Sequence, residues 1–326
     1  MLCSVIITNH NYATYLESCI QSVLEQDLNA IEIIVIDDGS TDVSRAILSK
    51  YSDKIIIIEQ ENLGACIARN RGLDEANGHW VKFLDSDDWL ESNCLNRQIT
   101  QAIELGRDRR CSIFGDVSWY WEKNERTIHT RYPQEGATLQ VEDVVLNAPL
   151  TSAPLHSRED LLEIGGFDGR VLRGQEHDLH VRMALNGVEF VHRPGVAYFY
   201  RQHQSANRIS EWSNTASGRS MLDATLRHIE RAERMNLISE GGNGLKLAFA
   251  KRLWRQGRES LHRGAREVGL DGFAEAKRLN GKEAVYGGSM YRVMQSFLGP
   301  LAAERLSAFG RSAKSYVHQF HRSVRR

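Results

Sequence analysis

Five short apolar runs, at residues 5–7, 31–36, 55–58, 80–84 and 111–114, alternate with helix-spaced segments along the first 114 residues. This alternation constrains the fold more than any other feature of the chain. Parallel strands must be joined by crossovers of a dozen or more residues, usually helical. Strands covered on both faces read as near-continuous apolar runs. Between the first two runs, Leu16, Cys19, Ile20, Val23 and Leu24 recur at the spacing of one helix face. The pattern predicts an α/β, Rossmann-like, mainly parallel sheet with helices on both faces.

Local signals predict where the helices begin and end. Thr14-x-x-Glu17 reads as a capping box. Ser40 or Asp42 is expected to cap a short helix through Leu48, and Asn77-Gly78 to close one running from about Leu63 to Ala76. Asp88 is expected to cap a helix running to Leu105. After Gly115 the rhythm breaks. Trp119-Tyr120-Trp121 suggests hairpin strands or a covering loop. Short helices are expected at 141–146, 158–164 and 178–185, and strands at 189–192 and 196–200. From about Ser217 the chain reads as helical. The expected organisation is a domain at 1–207, divided into halves 1–114 and 115–207, and a helical extension at 208–326.

Acidic residues stand at two strand ends. Asp37-Asp38 follows one apolar run, and Asp85-Ser86-Asp87-Asp88 follows another. In open α/β sheets, ligands bind beyond the carboxyl ends of the strands. Alternate residues of an extended stretch point the same way, so Asp85 and Asp87 can converge while Asp88 points elsewhere. Hard divalent cations take such oxygens together with substrate phosphates. Taken alone, a D-x-D triplet reads equally well as a polar turn. A third cluster joins Asn62-Leu63-Gly64 to Arg69-Asn70-Arg71-Gly72, where Arg69 suits an acidic strand end or a phosphate.

These segments together resemble the inverting family-2 glycosyltransferases of GT-A fold. The resemblance lies in Ser4-Val-Ile-Ile-Thr-Asn-His-Asn11, Ile36-Asp-Asp-Gly-Ser-Thr-Asp42, Asn62-Leu-Gly with Ala68-Arg-Asn-Arg-Gly72, and Phe83-Leu-Asp-Ser-Asp-Asp-Trp-Leu90. It implies a nucleotide-diphosphate sugar donor and a divalent cation, Mn²⁺ or Mg²⁺. It further implies that Thr8 and Asp38 lie against base and ribose, with Arg69 near the nucleotide. Asp87 becomes the direct metal ligand, with Asp85 beside it and closer to the ribose. The first loop departs from the family, with Thr-Asn-His-Asn where many members have Pro-Thr-Tyr-Asn.

Weaker matches continue to about residue 207. Gly165-Gly-Phe-Asp168 is similar to the turn before the family's acceptor-side helix. The family places its catalytic base two residues before the Asp of the helix start, which makes Glu176 the base here. Asp178 then reads as a helix cap and Arg182 as its structural partner. Tyr200-Arg-Gln-His-Gln-Ser205 is similar to the family's Arg-x-His segment, which makes Arg201 a phosphate contact and His203 a candidate metal ligand. His177, His180 and His192 have no motif support. The implied activity is metal-dependent, inverting transfer of a sugar to a glycan or lipid-linked acceptor, in cell-surface polysaccharide or glycoconjugate synthesis. Two other classes stay open: a non-catalytic nucleotide-sugar-binding or assembly module, and a nucleotidyltransferase. The latter would need a Gly-rich phosphate loop, which Asn9-His10-Asn11 is not.

Charge divides the chain. Residues 208–326 carry 22 Lys and Arg against 11 Asp and Glu, and residues 1–207 carry the remaining 19 against 31. Lys251, Arg252, Arg255, Arg258, Arg263 and Arg266 recur at helical spacing. Arg311, Lys314, Arg322, Arg325 and Arg326 interleave with Phe309, Tyr316, Val317 and Phe320. Two readings are open: a basic amphipathic surface on an anionic membrane, or the solvated faces of packed helices, in one chain or an oligomer. Nucleic-acid binding is disfavoured, because no recognised motif accompanies the charge. The 5 cysteines are odd in number and irregularly spaced, which argues against a disulfide framework. With no basic leader and no apolar stretch of spanning length, the expected location is cytoplasmic, with peripheral contact at the inner membrane face.

Overall fold

The computed structural model describes residues 3–28, 30–106, 109–130, 136–203, 215–238, 244–304 and 306. The chain forms two compact units, Met1–Trp212 and Ser213–Arg326. In the first, β1 (Cys3–Asn9), β2 (Ile31–Asp38), β3 (Ile56–Gln60) and β4 (Trp80–Asp85) alternate with α1 (Ala13–Leu24), α2 (Ser44–Ser49) and α3 (Ala65–Glu75). The strands stand side by side as β3-β2-β1-β4, all parallel. The α/β reading of the sequence is thus what the chain folds into.

The apolar pattern explains the stack. Val5, Ile6 and Ile7 of β1 and Ile34, Val35 and Ile36 of β2 are fully buried. A Cβ on Gly72 would lie 2.4 Å from Ile6 Cγ2, so only glycine lets α3 approach β1 this closely. That approach fixes Arg69, one turn earlier on α3, near the sheet end. Lys82 interrupts the apolar run of β4 yet is fully buried. Its Nζ donates to Gln98 Oε1 at 2.8 Å and to the Ala153 carbonyl at 2.9 Å.

The rest of the sheet differs from the sequence reading in instructive ways. The expected helix from Asp88 splits into β5 (Trp89–Leu90) and α4 (Cys94–Glu104). Trp89 and Leu90 pair with Phe199 and Tyr198, and this tertiary ladder overrides helix spacing. The run at 111–114 extends as β6 (Cys111–Trp121) and turns back through β7 (Arg126–Thr130). The two expected strands near residue 190 form one, β10 (Glu189–Gln202), with register shifts between His192 and Tyr198. β8 (Thr138–Leu139) pairs with β10, and β9 (Pro154–Ser157) bridges β4 and β6 in antiparallel fashion. Proline and brevity hid β9 from the sequence pattern.

Two expected caps are replaced by tertiary bonds. Thr14 lies inside α1, whose first N–H, at Ala13, donates to Asp42 Oδ2 at 3.0 Å. Asp42 also accepts from the Ser44 N–H at the start of α2. Asn77 and Gly78 lie beyond α3, and their N–H groups donate to Glu32 Oε1 at 2.5 and 3.1 Å. Burial raises the Glu32 pKa, but these bonds and the Ser4 hydroxyl outweigh it and hold the carboxyl below its ordinary value. Asp178 lies inside α7 (Gln175–Leu185) and pairs with Arg182 at 2.7 Å, the partnership the sequence implied. The expected helices at 141–146 and 158–164 form as α5 (Val141–Asn147) and α6 (Arg158–Ile164), the latter closed by Gly165.

The second unit holds α8 (Thr215–Arg234), α9 (Gly244–His262), α10 (Arg266–Asn280) and a further helix, α11, at residues 289–304. A Cβ on Gly257 would lie 2.9 Å from the Gly269 carbonyl, so α9 and α10 meet backbone to backbone. The basic stripe of α9 does not form one solvated face. Arg252 is buried, and Arg258 is ion-paired with Glu304. Arg311, Lys314, Arg322, Arg325 and Arg326 lie outside the described residues. No described helix is long and apolar enough to cross a membrane.

The core of the first unit holds two adjacent histidines. The His156 and His180 rings are 5.3 Å apart, beside Phe83 and Phe190. Burial pushes the His180 pKa down to about 3 and that of His156 well below its usual value. Above about pH 6.5 both folded and unfolded chains hold these rings neutral. Below it the unfolded chain takes up protons that the folded core refuses, so stability falls by up to ~1.4 kcal/mol per pH unit per ring. Urea midpoints between pH 7.5 and 5 are expected to fall steeply, and His180→Phe is expected to roughly halve the slope. Matching slopes for the two proteins would disprove the account.

Candidate functional site

Four parallel strands end together. Asn9 aligns with Asp37, Thr8 with Asp85, and Asp38 with Gln60 across the ladders. The carboxylates of β2 and β4 and the half-buried Thr8 therefore share one edge of the sheet.

The loops above β1, β2 and β3 are knitted to one another. Asp38 Oδ1 accepts from Gln60 Nε2 at 2.8 Å and from the Leu63 N–H at 2.9 Å, and Oδ2 accepts from the Gly64 N–H at 2.9 Å. His10 Nδ1 donates to the Asp38 carbonyl at 2.7 Å, and its Nε2 accepts from Asn62 Nδ2 at 3.2 Å. Asn11, at φ 59°, accepts from the Thr41 N–H at 2.7 Å. The departure from the family in the first loop thus supplies its own bracing. Asp38 shapes the loop that starts α3.

Arg69 joins the two halves of the site. Its Nη2 donates to Asp85 Oδ1 and its Nη1 to Gln175 Oε1, both at 2.7 Å. Burial works against its charge, but the Asp85 carboxylate outweighs this and raises its pKa further. The charge of Glu176 acts on Arg69 in the same sense, which places that half-buried carboxylate in the same neighbourhood. Glu176 stands in the first turn of α7, beyond Gly174 at φ 70°. Gln175 as the partner of Arg69 escaped the sequence reading. Its only signal there was its place beside Glu176.

Asp85 and Asp87 go to different partners. Asp87 Oδ2 lies 3.0 Å from His203 Nε2, whose ring packs 4.6 Å from that of Tyr15. Arg201 Nε donates to the Asp87 carbonyl at 2.9 Å, and the Arg201 N–H donates to Asp88 Oδ1 at 2.9 Å. Asp88 therefore fastens β10 to the turn and does not cap a helix. The Arg201 guanidinium lies 4.5 Å from the Trp89 ring centre and 4.7 Å from that of Tyr15. His177, His180 and His192 stand apart from this site. His177 bonds the Val145 carbonyl, His180 packs in the core, and His192 meets Asp116.

Among the described residues, no three His, Cys, Asp or Glu side chains converge on a metal position. Asp87 and His203 offer one carboxylate oxygen and one imidazole nitrogen. Such a pair fits a divalent ion that takes its other ligands from a diphosphate.

Comparison with known proteins agrees with this geometry. Residues 4–154 match the sequence model for Glycosyl transferase family 2. GlyA, a glycosyltransferase of Streptococcus pneumoniae serotype 4, is 40% identical over 108 residues, which are 32% of this chain and 16% of GlyA. TuaG of Bacillus subtilis, named for teichuronic acid biosynthesis, is 40% identical over 117 residues, 34% of this chain and 44% of TuaG. The chain thus spans less than half the length of these curated relatives. The crystal structure of S. aureus TarS 1–349 in complex with UDP-GlcNAc superposes with a TM-score of 0.61 at 16% identity, covering 85% of this chain and 91% of TarS 1–349. That likeness shows the fold. Sequence motifs, sheet order and superposition converge on one statement: residues 4–154 match Glycosyl transferase family 2, and the chain that holds them has a GT-A fold.

Proposed function

We infer that the protein is an inverting glycosyltransferase that moves a sugar from a nucleoside-diphosphate donor to an acceptor hydroxyl. The observation that carries this reading is the placement of Asp38 at the end of β2 and of Asp85 and Asp87 at the end of β4, on either side of β1, with Arg69 against Asp85 and His203 against Asp87. TarS was solved with UDP-GlcNAc and with UDP, which supports a nucleotide-sugar donor of that kind. The name of TuaG supports an acceptor in cell-surface glycan or glycoconjugate synthesis, carried as a glycan or on a lipid.

In this reading Thr8 and the loop braced by Asp38 line the base and ribose. Arg69 and Asp85 bound the nucleotide on the other side. Arg201 holds the Asp87 turn in place and adds positive charge beside the phosphates. Asp87 and His203 would hold a divalent cation, Mn²⁺ or Mg²⁺, which neutralises charge on the leaving diphosphate when bound. Glu176 removes the proton from the acceptor hydroxyl as its oxygen attacks the anomeric carbon, on the face opposite the departing nucleotide. The C–O bond to the acceptor forms as the bond to the diphosphate breaks, and the configuration inverts.

A thermal-shift screen of nucleotide-sugars with and without Mn²⁺ tests donor and metal together, since ligands that bind only the folded chain raise its Tm. A donor that stabilises the protein only with the cation is the expected result. Asp87→Ala is expected to abolish that metal-dependent shift and turnover, and unchanged turnover in excess chelator would refute the metal assignment. Asp38→Ala releases the loop that begins α3 and is expected to raise donor KM more than it lowers kcat, as lost ground-state binding does. A fall in kcat alone would show the assignment to be wrong. Glu176→Gln is expected to keep donor affinity and lose ~10²–10⁴-fold in kcat. Normal turnover in Glu176→Gln, with a folded but inactive Asp178→Asn, would move the base to Asp178.

A further inference from the structure

We propose that the second unit docks on an anionic lipid bilayer through the exposed apolar face of α11. This inference rests on residues of that unit alone and stands apart from the reading of the catalytic site.

α11 has two unlike faces. Inward, Tyr291 and Gln295 are buried one turn apart. Tyr291 accepts from Trp254 Nε1 at 3.3 Å and lies under the Arg258 guanidinium at 4.1 Å. Glu304 is buried between Arg258 and His262 Nε2, the latter at 2.8 Å. These bonds fix the rotation of the helix on α9. Outward, Met290, Val293 and Phe297 follow at i, i+3 and i+7, with Leu298 beside them. Met290 is 75% exposed and Phe297 83%. Phenylalanine and methionine at such exposure, aligned on one helix face, form a continuous apolar strip.

Charge decides what covers the strip. From Ala284 to Arg326 the sequence holds one acidic residue, Glu304, against Arg292, Arg305, Arg311, Lys314, Arg322, Arg325 and Arg326. The single acid is ion-paired with Arg258 and bonded to His262. The exposed strip is therefore followed by a stretch of one sign. The residues after it interleave Phe309, Tyr316, Val317 and Phe320 with the cations. A second copy of this surface would bring like charges together. An anionic lipid surface satisfies both components: apolar side chains enter the acyl boundary, and Lys and Arg meet the headgroups. Each such cation near a charged membrane adds favourable energy that falls off within a Debye length.

The test is co-sedimentation of the full chain with vesicles of pure phosphatidylcholine, and with vesicles of phosphatidylcholine and phosphatidylglycerol in equal parts. Binding is expected only to the latter, and to weaken several-fold when salt is raised from about 0.05 to 0.5 M. Because Met290 and Phe297 are mostly exposed, Met290→Ser with Phe297→Ser is expected to leave the far-UV circular dichroism spectrum unchanged. The same pair is expected to lower partitioning by about tenfold or more. Equal binding to both vesicle types, or binding to neither, would overturn the proposal. So would sedimentation velocity showing a concentration-dependent oligomer that the double substitution dissolves, since a second copy would then be the occupant.

Discussion

A buried guanidinium holds the site together. Arg69 is 7% exposed and is bound at once to the carboxylate that ends β4 and to the amide that opens α7. Removing one partner of such a pair leaves an uncompensated charge and costs about 3–5 kcal/mol. The geometry is therefore stiff in one sense: Asp85, Arg69 and the first turn of α7 are held in mutual register. Gly72 is the precondition, because α3 must lie against Ile6 for Arg69 to reach the strand end. Neither partner of Arg69 is near it in sequence, so long-range folding must be complete before the site exists.

A second fastening works by stacking. Arg201 lies against Trp89 and Tyr15 and bonds the backbone of Asp87, while its own N–H is held by Asp88. A cation over aromatic faces keeps its charge while its hydrogen bonds point in fixed directions. The two carboxylates of the D-x-D are thereby separated in role. One neutralises a structural cation, and the other faces an imidazole. The first loop makes the complementary argument. His10, which departs from the family pattern, and Asn11, which keeps it, bond the Asp38 and Thr41 backbones.

The four parallel strands were legible in the sequence because their apolar runs are long and their crossovers helical. The acidic strand ends were legible for the same reason, since the runs marked where each strand would stop. What escaped was everything decided by partners distant along the chain. Trp89-Leu90 carries helix spacing but finds a strand partner in β10. Asp88 resembles a cap but meets an N–H more than a hundred residues away. Thr14 and Asn77-Gly78 resemble local caps, while the bonds they foretold are made by Asp42 and Glu32. Lys82 stands inside an apolar run, and only Gln98 and the Ala153 carbonyl, both distant along the chain, explain its burial. The placement of Glu176 came from the resemblance, and its proximity to Arg69 came only with the fold.

The irregular register of β10 has a consequence for how the chain can vary. Between His192 and Val196 this strand uses four residues where β6 uses two, and from Val196 to Tyr198 two where β6 uses one. A strand's faces alternate with strict period two, so each surplus residue resets which face later side chains meet. The bulges act as a phase adjuster placed upstream of Arg201. Loss of a single residue there would leave the ladder free to close while exchanging Arg201 with its neighbours. Length in this short segment is thus tied to chemistry, whereas length in an ordinary surface loop is not.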